Sequence, residues 1–216
     1  MKLTNRSLLT VTGVMLIGWL GLSTLVLERR SQPIRFSEPT PDLPWGNIIP
    51  VRIKARDATH SGAWWHEGDP DRPVLAIFHE LGGGRGTALP PARIAAQTGC
   101  GFLSVTLRAH GDSEGDTIDY GWSAQHDVIA AIAWIQHHAP NRPILIRGCS
   151  MGAAAAIFAA PELAHSVEGY FLECVYSDLS TALWNRVDNR FPPVLREAAW
   201  AGLRIAAPWV MGNPAH

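Results

Sequence analysis

Three observations predict an α/β fold with a mostly parallel central sheet. Short strand-like runs recur at Val74 to Phe78, Phe102 to Leu107, Ile144 to Ile146 and Tyr170 to Val175, the first of them continuously apolar, as expected of a central parallel strand buried on both faces. Helix-patterned stretches alternate with them, Thr87 to Gln97 and Trp122 to His138, the second carrying Val128, Ile129, Ile132 and Ile135 on one face. Finally, the run ending at Ile146 meets Gly148-Cys149-Ser150-Met151-Gly152 and then an alanine-rich segment of high helix propensity. That is strand, tight turn, helix. Such alternation gives three layers, with the loops that carry chemistry gathered at the carboxyl edge of the sheet.

Taken in order, the chain opens on an anchor. Ser7 to Leu27 is an uncharged run of 21 residues between Lys2 and Arg6 on one side and Glu28, Arg29 and Arg30 on the other; at ~1.5 Å per residue it spans roughly 31 Å, one bilayer core. A cleaved secretory signal is the alternative, but the apolar core is long for one and no small-x-small site precedes the arginines. Residues 1–30 are therefore expected to form a single transmembrane helix. Basic residues flank it almost evenly, and the orientation adopted puts the amino terminus inside and the body on the extracytoplasmic side. Residues 31–50 carry Pro33, Pro39, Pro41, Pro44 and Pro50 and read as a semi-extended linker. Residues 51–216 form the body. Val51 to Ala55 alternates like an edge strand, and Gly62 to His66 is placed to pair with it as a hairpin. Val194 to Trp209 reads as a Trp-rich helical segment at the position of a cap or lid.

Composition narrows the classes. The chain has 216 residues, 47% of them hydrophobic and 17% charged, with a net charge of −1, so a basic face for nucleic acid is not expected. Cys100, Cys149 and Cys174 lie in or beside apolar runs and read as buried thiols outside any disulfide or metal spacing. Among the nine tryptophans, Trp64, Trp65, Trp122 and Trp134 fall at core-facing positions, whereas Trp184, Trp200 and Trp209 are placed to line a pocket or lie on a membrane, core packing being the plainer role.

The Gly-x-Ser-x-Gly pentad carries the chemistry. With 12 serines and 20 glycines, about 0.1 such matches arise by chance; the strand before it and the helix after it give it meaning. A serine in that turn is held in a strained conformation with no room for bulk two residues away, and the helix behind it points free N–H groups at a forming oxyanion. The plain alternative is a Gly-rich turn with an idle serine.

Three elements in fixed order, His79-Glu80-Leu81-Gly82-Gly83-Gly84, Leu107-Arg108-Ala109-His110-Gly111-Asp112-Ser113-Glu114-Gly115 and the pentad, resemble the α/β-hydrolase superfamily, in particular membrane-anchored serine aminopeptidase or lysophospholipase-like hydrolases. The resemblance covers about Val51 to Asp178. It implies an α/β-hydrolase-type fold, Ser150 as nucleophile, and an oxyanion hole from the backbone N–H of Met151 with that of Leu81 or Glu80. Two positions depart from the pattern: Glu80 stands where a glycine usually follows the histidine, and Thr106 where the second loop usually opens on aspartate.

A serine hydroxyl needs a histidine base and an orienting carboxylate, and in this superfamily both follow the serine in the chain. After Ser150 come only His165, just behind the following helix, and His216, the last residue. The sequence therefore resembles the amino-terminal two-thirds of a hydrolase, ending before the last strands and lacking its catalytic histidine and acid. Glu173 and Asp178 are alternative acids, with loop anchoring as the plainer role. His79 and His110 precede the serine and are expected to brace their loops. His137 and His138 are neighbours on a helix and diverge, so they do not chelate a metal together. Arg108 is placed to bind an anion or, more plainly, to form an ion pair within its own loop. Gly82-Gly83-Gly84-Arg85-Gly86 lacks the lysine of a phosphate-binding loop.

Three functions follow. The first is a serine hydrolase acting on an ester, thioester or peptide acyl substrate, with neither cofactor nor metal. The second is a non-catalytic membrane-anchored binding protein of the same fold. The third is an inactive truncation product.

Overall fold

A computed structural model describes residues 5–210, and the chain forms two units. His216 lies outside the described residues. The larger unit runs from Pro33 to Tyr176 and is built on a six-stranded sheet. Its strands are β1 (Ile49–Lys54), β2 (His60–His66), β3 (Val74–Phe78), β4 (Gly101–Val105), β5 (Ile144–Cys149) and β6 (Gly169–Glu173), in spatial order β1-β2-β4-β3-β5-β6. β1 and β2 form the expected hairpin, Arg52 opposite Gly62, and β2 is antiparallel to β4. The other four strands are parallel, with Phe78 beside Val105 on one side and Gly148 on the other. Pro50 sits in β1 at the sheet edge, where its missing N–H breaks no ladder.

Two cores cover the two faces. α3 (Gln125–His138) and α4 (Met151–Leu163) bury Val128, Ile132, Ile135, Ala155 and Ala159 with Val74, Ala76 and Phe78. On the opposite face, α2 (Leu89–Gln97) buries Ala92 and Ala95 against Ile77 and Phe102. Residues alternate between the cores along β3 because successive side chains of a strand point to opposite faces. The expected mostly parallel α/β sheet with helices on both faces is therefore present.

Some expectations change in detail. β4 stops at Val105: the Thr106 amide still donates to the Gly62 carbonyl of β2, but the Leu107 amide is taken by the His79 ring. Trp122 is 41% exposed, its edge turned to Phe158, and is not a core residue. It precedes α3, in a turn. Of the cysteines, Cys174 is exposed and the other two are half-buried, Cys149 being the last residue of β5 and Cys174 lying just past the end of β6.

The smaller unit joins α1 (Asn5–Ser31), α5 (Leu179–Arg190) and α6 (Pro193–Val210). Thr10–Ser31 has a mean hydropathy of 1.8 and is long and apolar enough to cross a membrane, a measure that a signal sequence also satisfies. In this unit Trp19 Nε1 donates to the Ala198 carbonyl, and Gly202 lies against Ser23 and Trp19. These contacts advance together along both helices, so α1 and α6 run parallel. Trp184 packs edge-on against Trp200, and Trp209 is 86% exposed.

Candidate active site

Three loops leave the carboxyl ends of neighbouring parallel strands β4, β3 and β5, so the sheet itself gathers them. Ser150 stands in the shortest, between β5 and α4, with φ 49° and ψ −108°. That is a left-handed φ carried by a side chain with a Cβ, which costs energy unless the surroundings enforce it. Its N–H donates to the Glu173 carbonyl at 2.9 Å, and its own carbonyl accepts from Ala154 in the first turn of α4.

The flanking glycines are steric necessities. A Cβ on Gly148 would lie 2.7 Å from Ala153 N and Gly152 O, and one on Gly152 would collide with the Phe78 and His79 carbonyls. The end of β3 is thus in van der Waals contact with the serine turn. Among the described residues, the N–H groups of Leu81 and Met151 are taken by no carbonyl or side-chain acceptor. Met151 is buried and Leu81 packs on the larger core.

Two histidines tie the loops together reciprocally. His79 Nε2 accepts from the Leu107 N–H at 2.9 Å while Nδ1 donates to the Glu80 carbonyl at 2.6 Å. His110 Nε2 accepts from the Gly82 N–H at 3.2 Å while Nδ1 donates to the Arg108 carbonyl at 2.9 Å. Each ring is buried and neutral, with both nitrogens engaged. Burial drives the His79 pKa down to about 3, against a smaller upward pull from its bond to Glu80. Burial also lowers that of His110. Both histidines brace their loops, as the sequence suggested.

The other candidates are also engaged. Glu173 meets the serine turn through its carbonyl, but its carboxylate pairs with Arg147 on β5. Asp178 belongs to the helical unit and caps α5, accepting from Thr181 N at 2.6 Å and Thr181 Oγ1 at 2.8 Å. Those bonds hold its pKa below the usual value. Arg108 forms its ion pairs outside its own loop, contacting Asp127 at 2.8 Å on α3 and Asp57 at 2.7 Å in the β1–β2 turn. Its guanidinium is thus committed on both sides. His165 lies exposed just beyond the far end of α4, His138 stacks on Trp134, and the carboxylate of Glu80 lies over Gly83.

Sequence reasoning missed a cluster next to this site. Glu38 accepts from Thr106 Oγ1 at 2.5 Å and Gly86 N at 3.1 Å, while Arg85 pairs with Asp112 at 2.7 Å. The one available signal was Thr106 itself, standing where the resemblance expects an acid.

Solved structures share this fold. An esterase from Pyrococcus furiosus superposes with a TM-score of 0.62 at 20% identity, covering 76% of this chain and 68% of that one. The chain has the α/β-hydrolase fold. A thermostable carboxyl esterase from Bacillus coagulans superposes with a TM-score of 0.55 at 16% identity, over 66% of this chain and 49% of the other. The chain thus spans about half to two thirds of the length of these α/β-hydrolase-fold enzymes. No protein-family model and no curated protein matches the sequence.

Proposed function

We propose that the protein is a serine hydrolase in which Ser150 accepts the acyl group of an ester, thioester or peptide bond, without a cofactor or metal, in a chain anchored to a membrane through α1 with its body on the extracytoplasmic side. The conformation of Ser150 carries the proposal: φ 49° at the head of α4, between two glycines that admit no Cβ. The backbone enforces a strained serine at the mouth of a helix, and the surrounding packing maintains it. The unclaimed N–H groups of Leu81 and Met151 are the proposed oxyanion donors. The fold shared with two esterases supports the same reading. The acyl substrate is a small molecule or peptide, and nucleic acid has no part in it.

A second reading, a binding protein of this fold that does not turn substrate over, is favoured by one observation. Both nitrogens of His79 and of His110 are occupied, so neither ring can take the serine proton without breaking a brace.

The test is covalent labelling of the full chain in membranes by a fluorophosphonate. The hydrolase reading expects one adduct, on Ser150, absent from Ser150→Ala. Absence of any adduct on Ser150 would favour the binding protein, and an adduct that survives Ser150→Ala would sink the hydrolase reading.

A further inference from the structure

The segment between α1 and β1 is irregular, as its prolines dictate, yet Ile34, Arg35 and Glu38 are hydrogen-bonded to the site loops. Ile34 N donates to the Ala109 carbonyl at 2.8 Å and Ile34 O accepts from Gly111 N at 2.9 Å, a parallel bridge beside His110. Arg35 donates to the Ser113 and Gly115 carbonyls. Glu38 goes deepest, its side chain only 5% exposed.

Every polar atom of Glu38 that reaches this interior is engaged. Oε2 accepts from Thr106 Oγ1 at 2.5 Å, Oε1 accepts from Gly86 N at 3.1 Å, and the Glu38 carbonyl accepts from Arg85 Nη2 at 3.0 Å. Arg85 Nη1 stands 3.8 Å from Oε2. The space for the carboxylate comes from missing side chains: a Cβ on Gly84 would strike Oε1, and one on Gly111 would lie 2.7 Å from Oε2. Gly86 belongs to the loop after β3 and Thr106 to the loop after β4, so one buried carboxylate joins both. A carboxylate so enclosed is held by charge-assisted hydrogen bonds, and removing it leaves buried donors unmatched.

We propose that Glu38 is a positioning residue for the loop that carries the Leu81 N–H, locking Gly86 to Thr106 so that the His79 and His110 braces hold that loop against the serine turn. The role of Leu81 rests on the hydrolase reading; the lock itself does not. The carboxylate lies against Thr106 Oγ1, so an acid placed at residue 106 in a Glu38→Ala background should restore the lock from within the β4 loop.

The full chain in detergent micelles tests this through two readouts, amide hydrogen exchange and fluorophosphonate labelling kinetics. In Glu38→Ala, exchange is expected to rise in residues 82–87 and 106–112 while β3 and β5 stay protected, and the maximal labelling rate to fall about tenfold with half-saturation changed less than about twofold, as for a displaced oxyanion donor. Glu38→Ala combined with Thr106→Asp should recover protection and most of the rate, whereas Thr106→Asp alone sets two carboxylates together and should loosen both loops. Exchange unchanged in those loops, or raised uniformly across the sheet, overturns the proposal, as does failure of the double variant to recover protection. If the wild-type chain takes no fluorophosphonate, the hydrolase reading fails, and the exchange data alone decide whether Glu38 is the lock.

Discussion

At the scale of the residue, Ser150 is held in a conformation it would not choose. Its φ of 49° suits glycine, so Ser150→Gly should raise stability by about 1 kcal/mol while abolishing labelling; a higher melting temperature with no adduct is the expected pair of results. The flanking glycine has the opposite character. Gly152→Ala drives a methyl into the Phe78 and His79 carbonyls and should cost about 1–3 kcal/mol or more, read as an earlier denaturant midpoint. His79 makes the body sensitive to acid. Its folded pKa of about 3 lies below the unfolded value of 6.5, so the unfolded chain takes up the proton first. The stability it confers is complete above about pH 6.5 and declines as the pH falls towards 3. Between pH 7 and pH 5 the loss should be about 2 kcal/mol, with His110 adding in the same direction. Chemical denaturation at the two pH values measures it, and His79→Gln should flatten the dependence.

At the scale of the element, the strands were the most legible part of the sequence. β3 matches its apolar run from Val74 to Phe78 because a strand covered on both faces has no polar alternation to blur its ends. The serine turn was equally plain, since only glycine fits at 148 and 152. α5 was not anticipated: Leu179–Arg190 is largely polar, and its start is fixed by the Asp178 cap, which has the look of a loop residue. Glu38 was illegible because it meets Thr106 across 68 residues of chain, a distance no local pattern encodes. In the helical unit, Gly202 permits the close approach of α6 to α1, as small residues do where helices pack in an apolar setting. Gly202→Leu should separate the two helices, seen as faster amide exchange along α6 with the sheet unaffected.

At the scale of the whole molecule, the chain divides its chemistry from its hydrocarbon. The polar loops lie at the carboxyl edge of the parallel strands, tied to one another by His79, His110 and Glu38. The helix α1, long and apolar enough to cross a membrane, leaves Val14, Met15, Ile17 and Leu22 uncovered. A second bare region lies on the body itself. Leu75, Ile94, Leu145 and Phe171 line a groove of about 530 Å³ on the α2 face of the sheet, and Phe171 is 59% exposed. Oily surface of this extent promotes self-association. In practice, colloidal behaviour will limit handling of the chain before unfolding does: it should brighten a dye such as ANS while fully native, cloud with rising concentration, and be improved on both counts by Phe171→Lys.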